Sequence, residues 1–186
     1  MCHDCWLVHV PKEFHLSHEK EKRRYDLHNN ASGDEGYRKF LSKLINPLAE
    51  RLEKGSEGLD YGSGPVPVLA EMLSEKGFKI ALYDPYYAVD KGVLARKYDF
   101  LACCETIEHF ADPGREWEQF LRIVKKGGWI GIMTQMIETS SDFARWHYIN
   151  DETHISFFSR KTFEWLGKKY GVEIFYQGSS VVLCRV

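Results

Sequence analysis

Apolar residues recur along the chain at two periods, one helical and one extended. After Asp34, the residues Tyr37, Phe40, Leu41, Leu44 and Ile45 fall at i, i+3, i+4, i+7 and i+8, which is one face of a helix. Asp34 is its expected N-cap. Asn46-Pro47 is expected to bend or restart that helix. Leu48 and Leu52 carry the face onward, and Gly55 ends it. A strand is predicted over about 58–61, a helix over about 66–76 and a second strand over 79–83, ending at Asp84. The run 98–104 is apolar enough for a strand buried on both faces. Asp112-Pro113 opens a helix with Trp117, Phe120, Leu121 and Val124 inward. Gly127-Gly128 ends it, and 129–134 reads as another strand. Ser159 caps a helix to about Tyr170, with Phe163 and Leu166 inward. Finally 172–176 and 181–185 flank Gln177-Gly178-Ser179-Ser180 as an antiparallel hairpin.

Strands alternating with helices predict an α/β fold: a doubly wound, mostly parallel sheet with a C-terminal antiparallel hairpin strand. Thirteen residues separate Asp84 from Tyr98. A full strand and helix would be crowded there, so the third-strand region is expected to be abbreviated.

The stretch Gly58-Leu59-Asp60-Tyr61-Gly62-Ser63-Gly64-Pro65 joins a strand, a tight turn and a helix start, the opening of a nucleotide-binding βαβ unit. A dinucleotide turn wants a third glycine where Pro67 stands. Pro65 and Pro67 also remove backbone donors that a pyrophosphate would use. Asp60 places negative charge beside the turn, which repels phosphate and suits a cation. Asp84, at the end of the second strand, suits a ribose diol. These residues ask for a ligand with a ribose, a positive charge and no phosphate, a description that S-adenosylmethionine fits.

Together, Asp60-x-Gly62-x-Gly64, Asp84 and the run from Tyr98 to Phe110 resemble class I S-adenosylmethionine-dependent methyltransferases, in particular the branch that includes the ubiquinone-type methylases. Val124-Lys125-Lys126-Gly127-Gly128-Trp129 is similar to that family's hydrophobic-Lys-x-Gly-Gly turn. The similarity spans roughly residues 25 to 186. It implies a Rossmann-like methyltransferase domain over 34–186, with 1–33 as an N-terminal arm or lid. Arg24-Tyr25-x-x-His28-x-Asn30 looks like the family's segment ahead of the fold, with Tyr25 and His28 closing over the cofactor. The implied cofactor residues are Tyr25, His28, Asp60, Tyr61, Gly62, Ser63, Gly64, Asp84, Pro85, Cys104, Glu105, Thr106 and His109. The family's usual adenine-binding acid has only Asp90 to represent it, and Tyr86 or Tyr87 are alternatives for stacking.

Strand C-termini are where open α/β sheets bind ligands, so Glu105, Thr106 and His109 should face the transferred methyl. His109 is the first candidate for a base, because imidazole titrates near neutrality. Trp146-x-Tyr148-x-x-Asp151-x-Thr153-His154-x-x-Phe157-Phe158 resembles the family's insertion facing the acceptor. It adds Tyr148 and His154 to the catalytic candidates and suits a small organic acceptor.

No metal is assigned. Glu138, Asp142, Asp151, His147 and His154 lack a tight ligand spacing. Cys2-His3-Asp4-Cys5 looks like one knuckle of the zinc ribbon that some relatives carry, with the other half not evident.

Composition narrows the picture further. The 186 residues fit one domain. A net charge of −2, with no basic stripe, argues against a nucleic-acid partner. No apolar run approaches the ~20 residues of a membrane span, and no signal-peptide core opens the chain. Five cysteines, two of them adjacent, are not a disulfide framework, so a reducing, cytoplasmic setting is expected. Two rivals are a nicotinamide-dependent oxidoreductase and a methyltransferase fold that serves as a non-catalytic partner subunit. The missing third glycine, both prolines and the hairpin argue against the first.

Overall fold

Leu59, Phe100, Leu101, Ile130 and Ile132 are all fully buried, which requires a sheet covered on both faces. The computed structural model describes residues 1–27, 32–137 and 143–186. In chain order its strands and α-helices are β1 (Val8–His9), α1 (His18–Tyr25), α2 (Glu35–Ala49), β2 (Glu57–Tyr61), α3 (Val68–Glu75), β3 (Lys79–Tyr83), β4 (Tyr98–Cys104), α4 (Pro113–Ile123), β5 (Val124–Met133), β6 (Ser156–Phe157), α5 (Arg160–Tyr170), β7 (Glu173–Gln177) and β8 (Val181–Arg185).

Six strands form one sheet in the order β3-β2-β4-β5-β8-β7. β3, β2, β4 and β5 run parallel, while β8 is antiparallel to both β5 and β7. The expected fold class is therefore the observed one, with the hairpin's last strand inserted next to β5. From β2 the chain steps first to β3 on one side and later to β4 on the other. That reversal opens a crevice at the C-terminal ends of β2 and β4.

One face of the sheet packs Trp117, Phe120 and Ile123 of α4 and Phe163 and Leu166 of α5 over Leu59, Leu101 and Ile130. The other packs Leu41, Leu44, Ile45 and Leu48 of α2 and Leu69, Met72 and Leu73 of α3 over Phe100, Ala102 and Leu183. The space between β3 and β4 holds a single 3-10 turn, Lys91–Ala95, capped by Asp90 through Gly92 N–H (2.7 Å). The third-strand region is thus abbreviated as expected, and β3 becomes a sheet edge.

Asp34 caps α2 as expected, accepting from Tyr37 N–H at 3.1 Å. The helix does not restart at Asn46-Pro47; it runs through Pro47 to Ala49. Proline there removes the N–H that would reach Lys43 O and crowds that carbonyl, a cost that the burial of Leu44, Ile45 and Leu48 outweighs. Leu44 and Leu48 hold the last turns against β5, where a Cβ on Gly131 would lie 2.9 Å from Leu48. Gly55 is not the helix terminator; it turns the chain toward β2 with φ +82°. β5 begins at Val124, earlier than predicted, and a register shift between Tyr98 and Phe100 absorbs the Gly127-Gly128 turn. Periodicity gave no sign of the short antiparallel pair between β1 and β6, which ties the N-terminal arm to the stretch before α5. No helix among the described residues is long and apolar enough to cross a membrane.

Ser159 and Thr162 form a reciprocal capping box at the start of α5. Ser159 Oγ accepts from Thr162 N–H (3.2 Å) and Thr162 Oγ1 from Ser159 N–H (3.1 Å). Ser159→Ala is expected to lower stability by about 1 kcal/mol, read from urea denaturation. An unchanged midpoint would show that packing alone holds the helix.

Candidate functional site

The crevice is a cavity of about 720 Å³. Its floor is the turn after β2. Gly62 and Gly64 adopt φ +84° and +66°, values open to glycine and costly for other residues. Gly62 and Ser63 donate N–H to Tyr83 O (2.8 and 3.2 Å). A Cβ on Gly62 would collide with the Thr106 side chain, whereas Gly64 faces open space. Thr106 is itself fixed by donating to Cys104 O at 2.8 Å.

Asp84 clips this turn to the loop after β3. Its Oδ2 accepts from Gly64 N–H (3.0 Å), and its Oδ1 accepts from Tyr86 and Tyr87 N–H (2.8 and 3.1 Å). Tyr61, Ser63, Asp84, Pro85, Cys104 and Glu105 all line the cavity. So do Tyr25, Gly62, Gly64, Thr106, His109 and His154. His28 lies outside the described residues.

Asp60 departs from expectation. Its side chain is buried beneath the turn and does not line the cavity. Side chains alternate along a strand, and Tyr61, not Asp60, reaches the cavity wall. Burial and then the nearby Asp84 charge push the Asp60 carboxyl up to about 7, opposed by the Ala70 N–H at the start of α3. Asp60 Oδ2 and Ser63 Oγ are buried with no hydrogen-bond partner among the described residues.

Helix α1 forms the roof. Tyr86 OH donates to Glu21 (2.6 Å) and Tyr87 OH to Asp26 (2.7 Å). Tyr25 donates to Glu21 (2.7 Å), and its ring sits edge-on to His109 at 5.3 Å. Tyr86 and Tyr87 thus clasp the roof while lining the cavity. Asp90 caps its 3-10 turn, is exposed and does not reach the cavity.

Beyond β4 the chain turns sharply at Glu105, a non-glycine residue at φ +45°, held by its N–H to Met133 O (2.8 Å). Glu105 lines the main cavity and also a second one of about 410 Å³, whose walls include Phe40, Phe143 and Trp146. His109 donates Nδ1–H to Thr153 O (3.0 Å), and His154 donates Nδ1–H to Tyr148 O (2.7 Å). Their rings are 4.9 Å apart.

Tyr148, expected to be catalytic, is buried and absent from the walls of both cavities. Its OH donates to Glu108 and lies 3.3 Å from both Glu105 and Thr134 Oγ1. Burial and the two carboxylates push its phenol far above its usual range, so it serves as a strut and not as a base. Burial likewise raises both carboxyls, and the Glu108 charge adds to the rise at Glu105.

Sequence reasoning passed over Glu108, Glu21 and Glu116, whose carboxylate accepts from Tyr61 OH. For Glu108 a signal existed: two acids three residues apart at the exit of a buried strand. Glu138 and Asp142, weighed as metal ligands, lie outside the described residues. Asp151 accepts from Thr153 N–H and OH (3.0 and 2.7 Å) and His147 is exposed. The set that the fold gathers is instead Glu108, His109 and His154, with one ligand atom from each within 4.8 Å of the others. Cys2 and Cys5 close a tight turn in which Trp6 N–H reaches Cys2 O at 3.0 Å. Among the described residues no third ligand joins them.

A family model for a methyltransferase domain matches residues 34–177. The chain belongs to that family, and the class I S-adenosylmethionine-dependent methyltransferases expected from the sequence are the group whose fold it has. No curated protein matches the chain. Among solved structures, the 1,6-didemethyltoxoflavin-N1-methyltransferase of Burkholderia thailandensis has a TM-score of 0.66 at 11% identity, covering 100% of this chain and 97% of that one. The magnesium protoporphyrin IX methyltransferase of Synechocystis has a TM-score of 0.55 at 12% identity, covering 92% and 95%. An O-methyltransferase family protein of B. thailandensis has a TM-score of 0.56 at 13% identity, covering 89% and 62%.

The Asp60 environment sets a pH dependence. A carboxyl raised in the folded state stays protonated there at pH values where the unfolded chain has already lost its proton. Its contribution is therefore present below about pH 4 and is lost as pH rises toward about 7. Asp60→Asn removes that titration. In the cofactor-free protein, the stability of the variant relative to the parent should rise between pH 5 and pH 8, as measured by urea denaturation. A flat difference would mean that Asp60 is ionised throughout.

Proposed function

We propose that the protein transfers the methyl group of S-adenosylmethionine to a small organic acceptor, with residues 1–33 as an arm over a catalytic domain at 34–186. The observation that carries this reading is the meeting of two cavities at Glu105. One is floored by the glycine turn beside the Asp84 carboxylate; the other is walled by Phe40, Phe143 and Trp146 with Lys43 and Ser179. The Burkholderia relative was solved with 1,6-didemethyltoxoflavin and S-adenosylhomocysteine, and the Synechocystis relative with S-adenosylhomocysteine. Their folds support the same division here.

The residues fit the cofactor. Gly64 leaves room where a side chain would stand, and Ser63 Oγ is a buried donor without a partner among the described residues. Asp60 beneath the turn favours positive charge above it, and Asp84 presents a carboxylate for a ribose diol. Bound there, S-adenosylmethionine would supply a methyl group on a sulfonium, whose positive charge disappears on transfer.

The chain's own contribution is positioning and exclusion of water. Tyr25, Tyr86 and Pro85 cover the site. His109 and His154 stand where a base would take a proton from an acceptor that must lose one. Phe40, Phe143 and Trp146 would hold a flat or apolar acceptor body. The non-catalytic alternative keeps the cofactor cavity but would show no turnover with any acceptor.

Asp84→Ala is expected to weaken S-adenosylmethionine binding by about 10- to 100-fold, the loss of one or two charge-assisted hydrogen bonds. Calorimetry is the measurement. Asp84→Asn keeps an acceptor for the loop N–H groups and serves as the folding control. Undiminished binding by the alanine variant would remove Asp84 from the cofactor site.

A further inference from the structure

Glu105 lines both cavities, and Glu108, fully buried, stands behind their walls and is joined to Glu105 through the Tyr148 hydroxyl. Neither carboxyl is ion-paired with Lys or Arg among the described residues. Burying two carboxyls without a counter-charge is costly. Tyr148 and Thr134 hydroxyls hold Glu108 in place, but hydroxyls bring no positive charge.

Two imidazoles stand against this pair. A carbonyl oxygen only accepts, so the bonds to Thr153 O and Tyr148 O put the proton of each ring on Nδ1. In the neutral ring the lone pair then sits on Nε2. This is how metal-binding histidines are held, with the second ring nitrogen donating to a carbonyl or carboxylate.

We propose that Glu108, His109 and His154, with Glu105 beside them, bind one divalent transition-metal ion, and that the acceptor ligates this ion through a hydroxyl oxygen. The ligand atoms lie within 4.8 Å of one another. Bonds of about 2.1 Å at near-tetrahedral angles bring two ligands to about 3.4 Å of each other, so the widest pair closes by somewhat more than an ångström, which side-chain rotation supplies. One or two carboxylates with two imidazoles suit Mn²⁺, Co²⁺ or Zn²⁺ better than Mg²⁺ or Ca²⁺, which prefer oxygen alone. Three protein ligands leave positions open toward the cavity that His109 and His154 line.

The ion site stands on geometry alone; the acceptor half rests on the methyl-transfer reading above. With both imidazoles on the ion neither is the base, and an acceptor hydroxyl on the ion loses its proton to solvent more readily than a free one. Its oxygen then forms the bond to the methyl carbon while the methyl–sulfur bond breaks, the electron pair staying on sulfur. The acceptor class is therefore a small alcohol, phenol or enol, and the reaction is O-methylation.

The test uses the full chain stripped with chelator, carrying Cys2→Ser and Cys5→Ser so that thiols take no part. Mn²⁺ is titrated by calorimetry and by electron paramagnetic resonance. One Mn²⁺ per chain is expected, bound more tightly than Mg²⁺. His154→Ala and Glu108→Gln should each weaken it at least about tenfold, the loss that an outer-shell partner alone can bring. Far-ultraviolet circular dichroism and the thermal midpoint, each close to the parent's, report that the variants fold. His154→Gln replaces the alanine variant if that fails to fold. No saturable Mn²⁺ binding, equal Mg²⁺ binding, or binding indifferent to these substitutions would overturn the ion site. A parent that binds Mn²⁺ but not S-adenosylmethionine would keep the ion site and sink the methyl-transfer reading. Turnover of a hydroxylic acceptor that is unchanged by metal removal would overturn the acceptor half.

Discussion

Asp84 is one carboxylate that joins three segments of chain. It accepts from Gly64 at the turn after β2 and from Tyr86 and Tyr87 in the loop after β3. Those tyrosines then hold α1 through Glu21 and Asp26. Floor, rim and roof of the main cavity therefore depend on hydrogen bonds that radiate from one side chain. The arrangement is possible because β2 and β3 are adjacent and parallel, so their exits open side by side.

The second constraint is charge. Asp60, Glu105 and Glu108 are held in or beneath the cleft, and burial disfavours ionisation of each. A cavity built this way repels phosphate and rewards positive charge. That agrees with a turn lacking the third glycine and the N–H donors of a dinucleotide site. A sulfonium cofactor above Asp60 and a divalent ion beside Glu108 would relieve the same kind of cost at two separate points.

The architecture was legible where periodicity and capping agreed. Asp34, Asp112 and Ser159 each cap the helix that they mark in the sequence, and the C-terminal hairpin pairs as its turn implies. Pro47 misled because proline is read as a helix breaker, while here the buried Leu44, Ile45 and Leu48 hold the helix through it. β1 was invisible because a two-residue pair leaves no period to detect. For the site, strand exits supplied the right neighbourhood, and Gly62, Gly64, Asp84, Glu105 and His109 all arrive there. What sequence did not give was direction. Asp60 points away from the cavity and Tyr148 points into the protein, while Glu108 and His154, 46 positions apart, come together only through the fold.

The backbone at Glu105 carries one further implication. Its left-handed φ of +45° costs a non-glycine residue about 1 kcal/mol or more, and glycine would occupy the same bend without that penalty. The protein thus tolerates a local folding defect in order to present a carboxylate at the wall shared by its two chambers. Ease of folding and chemical usefulness pull in opposite directions at this residue, and the shape of the chain records which one prevailed.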